Sequence, residues 1–318
     1  MTTTTALPAA TTTEAATASR SAAAEVSGAR DADPRVWTFD AIGTAWSIET
    51  ARALEEGTRR AVAALVDRFD REWSRFRPDS AVSALATGEA ASVPLPADAE
   101  AMLSLYAELD DATAGAVNPL VGEALARLGY DARTTLIPTG GPEPAPAWRD
   151  AVRWGDGALS LRAPATIDVG ALGKGRLVDL VLAEVEPVAG GAVVVDGSGD
   201  LAVRGAPVRI GLEHPFDPRR AIGVATIRDG ALCASAISRR AWGEGLHHVL
   251  DARTGVPVRA YAATWALAPT AMRADALATA LFFDGGPELA AAWNAQWVRM
   301  RTDGRVEWSP GFDGEVFR

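Results

Sequence analysis

The chain has 318 residues, 48% of them hydrophobic, and a formal net charge of −10 at pH 7. That length allows one large domain or two, with enough apolar side chains for a sizeable core. The acidic balance argues against a nucleic-acid backbone as the main partner. The lack of any run of about 18 apolar residues argues against membrane insertion. A single cysteine, Cys233, excludes an internal disulfide framework and a cysteine-cluster metal site. Of the 31 basic residues only Lys174 is a lysine. An ammonium is a compact point charge on a flexible stem, so this single use points to a place where a guanidinium does not serve.

Residues 1–34 are rich in Thr and Ala and nearly free of large apolar side chains, which predicts a disordered tail. The segment has no basic start followed by an apolar stretch and no lipid-anchor cysteine, which favours a cytoplasmic location. One continuous domain is expected over 35–318. Val36–Asp40 and Trp46–Glu49 read as strands on either side of Gly43. From Ala51 to about Phe76, Val62, Val66, Phe69 and Trp73 recur at helical spacing. Asp79 or Ser80 suits the cap of a short helix through Leu85. Two further helices are expected over Ala97–Ala112 and Pro119–Leu128. Ala158–Leu161 and Ala165–Val169 read as paired strands, followed by a helix over Gly173–Val185. Strand patterns recur at Ala192–Val195, Leu201–Val203, Val208–Leu212, Gly223–Ile227 and Ala263–Ala268. Helices follow at Ala271–Phe283 and Pro287–Trp293, then a closing hairpin of Val298–Arg301 and Arg305–Trp308 turning at Asp303-Gly304. Strands and helices mix without regular alternation, so the fold class is α+β with a mixed sheet and packed helices.

Four segments carry candidate chemistry. Asp168-Val-Gly-Ala-Leu-Gly-Lys174-Gly runs from a carboxylate through glycines into a helix start, where free N–H groups favour an anion. It lacks the spacing of a P-loop, and an ordinary strand–turn–helix explains it equally simply. His247-His248-Val-Leu-Asp251-Ala-Arg-Thr-Gly255 places two imidazoles on opposite faces if extended; a polar turn with one packed histidine is the plainer alternative. Asp275 and Thr279 lie four apart on one helix face, a carboxylate and a hydroxyl suited to Mg²⁺. An acid in the first turns of a helix is also an ordinary dipole partner. Thr113-Ala-Gly-Ala116-Val117-Asn118-Pro brings small residues to a helix start, with Asn118 placed as a cap.

Taken in order, these segments resemble the ApbE-like family of FAD:protein FMN transferases, over roughly residues 36–310. Ile42-Gly-Thr stands for the family's Met-Gly-Thr, Ser74-Arg-Phe76 with Ser80 for its Ser-x-Tyr-x-x-x-Ser, and Gly115 to Pro119 for its Asp-Gly-Ala-Phe-Asp-Pro. The segments Asp168 to Asp179, Val195 to Asp200, His247 to Gly255 and Ala274 to Leu281 follow its remaining motifs. The resemblance implies an α–β roll and Mg²⁺-dependent transfer of FMN from FAD to a Thr or Ser hydroxyl of a target flavoprotein, with release of AMP. It further implies that Asp275, Thr279 and the Ala171 carbonyl hold the metal, and that Lys174 meets the FAD pyrophosphate. Asp168 would bond the flavin or its ribose part, and Ile42, Phe76, Ala116, Val117 and Asn118 would line the FAD pocket. His248 is the candidate general base, with Asp251 orienting it or assisting the metal. The chain departs from the family in Ile42, Phe76, Asn118, Ala234, Ala236 and Ser238. A Mg²⁺-dependent FAD pyrophosphatase and a non-catalytic flavin-binding module are the competing expectations.

Overall fold

The computed structural model describes residues 33–317, so most of the expected N-terminal tail lies outside the described residues. Eight strands form one sheet whose spatial order is their chain order: β1 (Val36–Ala41), β2 (Thr44–Thr50), β3 (Val193–Asp196), β4 (Asp200–Arg204), β5 (Gly230–Ala236), β6 (Tyr261–Ala268), β7 (Gln296–Arg301) and β8 (Val306–Trp308). Every neighbouring pair is antiparallel. The fold class is α+β.

The two faces of this sheet are covered differently, and the alternation along its strands follows from that. Ala263, Trp265, Val298 and Met300 pack into a cluster with Leu212, Ile222 and Ile227 from a smaller three-stranded sheet of Val208–His214, Asp217–Ile227 and Gly314–Val316. Ala266, Ala268 and Trp297 point the other way, into a larger core shared with the helices. Those helices are α1 (Glu56–Trp73), α2 (Ala81–Thr87), α3 (Ala99–Thr113), α4 (Gly122–Arg127), α5 (Trp148–Ala151), α6 (Gly173–Val185), α7 (Ala271–Ala280) and α8 (Gly286–Ala292). Helix α7 buries Ala271, Ala274, Ala276, Leu277, Ala278 and Ala280. So many small side chains let it lie close against α6. At Gly175 a Cβ would stand 2.2 Å from the Ala271 carbonyl oxygen, so only glycine fits there.

Several expected elements change. Ala165–Val169 is not a strand; its Asp168 N–H donates to Pro119 O, and Ala158–Leu161 pairs instead with Val152–Gly155 and Ser92–Pro94. Strand β5 escaped the pattern because Gly-Ala-Leu-Cys-Ala-Ser-Ala has no β-branched residue. The helix expected from Ala51 begins at Glu56, that from Pro119 begins at Gly122, and that ending at Phe283 ends at Ala280. Ser80 caps α2 by accepting from Ser83 N at 3.1 Å. Among the described residues no helix is long and apolar enough to cross a membrane.

Candidate active site

Helices α6 and α7 meet at their N-terminal halves, and side chains from both converge there. Asp179 on α6 accepts from the N–H groups of Ala271 and Met272, at 2.7 and 2.9 Å, and so fixes the start of α7. One turn on, buried Asp275 accepts from Gly175 N at 2.9 Å. A further turn on, Thr279 donates its hydroxyl to the Ala171 carbonyl at 3.3 Å. The i, i+4 spacing of Asp275 and Thr279 thus faces the turn that opens α6.

Lys174 stands beside Gly175 in that first turn. Its ammonium donates to Gly197 O at 3.0 Å and forms an ion pair with Asp200 Oδ2 at 2.8 Å. Asp200 is wholly buried, and no hydrogen-bond donor serves either of its oxygens. Burial first, and then the negative charge of Asp200, push the Asp275 carboxyl well above the usual carboxylate range. Burial works against the Lys174 charge, but Asp200 and Asp275 outweigh it and raise the ammonium above its ordinary value. Cys233, opposite Asp200 in the ladder of β4 and β5, donates its thiol to Ala271 O at 3.3 Å. It therefore packs beneath α7.

A second cluster lies around Asp168. Its Oδ1 accepts from Gly170 N at 2.7 Å, and its Oδ2 accepts from Arg75 Nε. Burial would raise this carboxyl, but the Arg75 guanidinium and the Gly170 N–H hold it below its ordinary value. Tyr106 donates its hydroxyl to Asp168 O at 3.1 Å and steadies the same turn. Buried Arg75 also donates to Tyr130 O at 2.9 Å, and its guanidinium lies 4.3 Å from the Phe76 ring centroid and 5.0 Å from that of Tyr130. Phe76, Tyr130 and Trp242 form an aromatic row with centroids 5.4 and 5.6 Å apart. Phe76 is its exposed end.

His248 belongs near this cluster, within reach of the charges of Asp168 and Arg240. Its Nδ1 is buried without a hydrogen-bond partner. Burial, assisted by the neighbouring Arg240 and His247, lowers the imidazole to about 3, so it is neutral at pH 7. The adjacent His247 points elsewhere: it donates Nε2–H to Val258 O at 2.8 Å and accepts from Val249 N on Nδ1. Its own value is lowered, chiefly by burial. The two imidazoles diverge, but the segment is not extended throughout: His248 lies in a bend between the short strands Leu246–His247 and Leu250–Asp251.

The segment from Thr113 to Pro119 joins these parts. Ala116 O accepts from Ala252 N, and Pro119 O accepts from Asp168 N. Asn118 accepts from Leu120 N at 2.8 Å and donates to Pro146 O at 2.9 Å, which closes a local turn; it is not the helix cap expected, since α4 starts at Gly122 with Val121 in the cap position. Ile42, with φ of 44°, and Gly43, with φ of 76°, form the two-residue turn between β1 and β2. A β-branched residue in the left-handed region is strained, and such strain concentrates at functional positions.

A family model, the ApbE family, matches residues 42–300. The chain belongs to the ApbE family. A Rhodobacter capsulatus relative named FAD:protein FMN transferase is 28% identical over 304 residues, covering 88% of this chain and 56% of the relative. The chain thus spans little more than half the length of that relative. A Haemophilus influenzae protein of the same name is 27% identical over 280 residues, covering 79% of this chain and 80% of the relative. The ApbE protein from Thermotoga maritima matches in structure with a TM-score of 0.73 at 21% identity, over 87% of this chain and 98% of that one. Flavin transferase ApbE from Vibrio cholerae matches with a TM-score of 0.70 at 21% identity, over 86% and 96%.

Within this ApbE-family chain the residues expected from sequence, apart from Ile42 in the β1–β2 turn, fall into three groups. Ala171, Lys174, Asp275 and Thr279 gather at the α6–α7 junction. Phe76 and Asp168 flank Arg75, His248 lies within reach of the Asp168 charge, and Pro119, which follows Ala116 to Asn118, accepts from Asp168 N. Asp251 stands apart from His248 in its contacts. Both of its oxygens accept from Arg253, at 2.9 and 2.6 Å, and it lines an open cleft of about 460 Å³ with Arg259, Tyr261, Phe283 and Arg301. That cleft contains none of the residues of the α6–α7 junction. Arg75 and Asp200 lie inside the matched motifs, and no role follows for either from sequence alone. Arg75 pairs with Asp168 across 93 positions, a distance over which no local pattern operates.

Proposed function

We propose that this chain is an FAD:protein FMN transferase, moving FMN from FAD onto a Thr or Ser hydroxyl of a target flavoprotein with Mg²⁺ at the α6–α7 junction. The observation that carries this reading is the convergence there of the Asp275 carboxylate, the Thr279 hydroxyl and the Ala171 carbonyl. These are hard oxygen donors of the kind Mg²⁺ takes while keeping several waters. Buried Asp200, paired with Lys174 at 2.8 Å, stands beside Asp275, and with both carboxylates ionised a cation would balance the excess charge. Mg²⁺ bound there would neutralise charge on the FAD pyrophosphate.

The protein's own groups supply the rest. The opening turn of α6 presents the Lys174 ammonium to the pyrophosphate, its Gly173 and Gly175 N–H groups being taken by Val169 O and Asp275. Phe76, Ile42 and the backbone of Ala116 to Asn118 line the flavin side, and Asp168, held in place by Arg75, accepts hydrogen bonds there. In the transfer the acceptor oxygen bonds to the phosphorus of the FMN half. The pyrophosphate P–O bond to AMP breaks, and AMP leaves with the electron pair. The hydroxyl proton passes to His248, whose neutral imidazole has Nδ1 unpaired. Asp251 shapes the loop beside it through Arg253 and Gly255.

The test is to incubate the full chain with FAD, Mg²⁺ and an acceptor flavoprotein, and to read the acceptor's intact mass together with AMP. An FMN-sized mass gain, matched by AMP and abolished by EDTA, is expected. AMP with free FMN and an unchanged acceptor would replace the transferase with an FAD pyrophosphatase. Bound FAD with no product would replace it with a flavin-binding module.

A further inference from the structure

We propose that Asp200 belongs to the cation site as its second carboxylate, alongside Asp275. The inference rests on the reading of the α6–α7 junction as a divalent-cation site. Lys174 and Gly175 are consecutive residues of the first turn of α6. The Lys174 ammonium is 2.8 Å from Asp200 Oδ2, and the Gly175 N–H is 2.9 Å from Asp275 Oδ2. Two carboxylates on different elements, one at the start of β4 and one on α7, are thereby brought to one point. Asp200 has no exposed surface, and neither of its oxygens receives a hydrogen bond.

A buried carboxylate in this condition is costly unless a charge compensates it. Lys174 is the one ion-pair partner of Asp200 among the described residues, and that ammonium also donates to Gly197 O. When both are ionised, the two carboxylates outnumber the one ammonium in this buried pocket. A divalent cation with one or two carboxylate ligands supplies what is missing. The turn from Asp196 to Asp200 supports the same arrangement. Asp196 accepts from Gly199 N, and Gly197 N donates to Asp200 O, so the strand end that carries Asp200 is held rigidly.

The experiment titrates Mn²⁺ into the full chain without FAD and follows free Mn²⁺ by electron paramagnetic resonance. It compares wild type with Asp200→Asn, Asp275→Asn and the double variant Asp200→Asn/Lys174→Gln. Asp200→Asn is expected to weaken binding at least about tenfold, as for a lost carboxylate ligand, and the double variant to remain weak. Wild-type affinity in Asp200→Asn would overturn the proposal, and so would its recovery in the double variant, since Asp200 would then only balance Lys174. If wild type and Asp200→Asn bind alike while Asp275→Asn does not, only the role of Asp200 fails. If wild type binds no Mn²⁺, the cation site itself fails. Circular dichroism checks each variant's fold, and Asp200→Ser replaces Asp200→Asn if the amide variant does not fold.

Discussion

Two sets of ion pairs in this protein differ in range, exposure and work. Asp33/Arg35, Asp251/Arg253 and Asp303/Arg305 are two residues apart at turns, and Asp217/Arg219 are two apart at the start of a strand. In each, Asp Oδ1 also accepts the backbone N–H of the arginine, so the pair is an extension of the turn. Arg75/Asp168, Lys174/Asp200 and Arg176/Asp98 join distant segments, and in each the aspartate or its partner is almost wholly buried. Exposed pairs contribute little because water screens them. Buried pairs cannot lose one member without stranding the other. Arg75/Asp168 and Lys174/Asp200 lie in the candidate active site, whereas the local pairs other than Asp251/Arg253 lie outside it. Asp251 belongs to the local set by its contacts, although its motif first suggested a share in the chemistry.

The sharpest way to break this contrast lies at the buried end. His248→Ala should keep FAD binding and lower transfer by about 100- to 10,000-fold, the usual cost of a missing general base. Equilibrium dialysis of FAD beside the transfer rate separates the two effects, and lost FAD binding would remove His248 from that role. Arg75→Met should cost about 3 kcal/mol in urea unfolding, because Asp168 is left buried without its counter-charge.

An intermediate effect concerns pH. His248 has an ordinary value of 6.5 when unfolded and about 3 when folded. Between these values the unfolded chain holds a proton that the native imidazole does not, so this group's contribution to stability falls as pH drops through that window. Thermal melts from pH 7 to pH 4 should therefore decline less steeply in His248→Gln than in wild type. The smallest effect is expected at the exposed end, where Arg305→Ala should leave the urea midpoint unchanged within error.

The same division governs what could be read from the sequence. Helix α6 was legible over its whole length, since its apolar residues keep helical spacing from Gly173 to Val185. Ser80 was legible as a cap because capping is a local hydrogen bond. Strand β5 was not, because its small residues take their conformation from the strands on either side. Asp275 and Thr279 were legible as one face, but not that Asp200 would stand against them, because only the sheet brings β4 beneath α7. Arg75 shows the limit most clearly. Between Ser74 and Phe76 it reads as one more arginine, and its partner Asp168 comes within reach only after the turn before α6 has folded onto α3 through Tyr106.

The most direct measurement is the intact mass of an acceptor flavoprotein after incubation with FAD, Mg²⁺ and wild-type, Asp275→Asn or Arg305→Ala chain. Wild type and Arg305→Ala should add an FMN-sized mass to the acceptor at similar rates, and Asp275→Asn should add none. Labelling by Asp275→Asn at the wild-type rate would contradict the placement of the chemistry at the junction of α6 and α7.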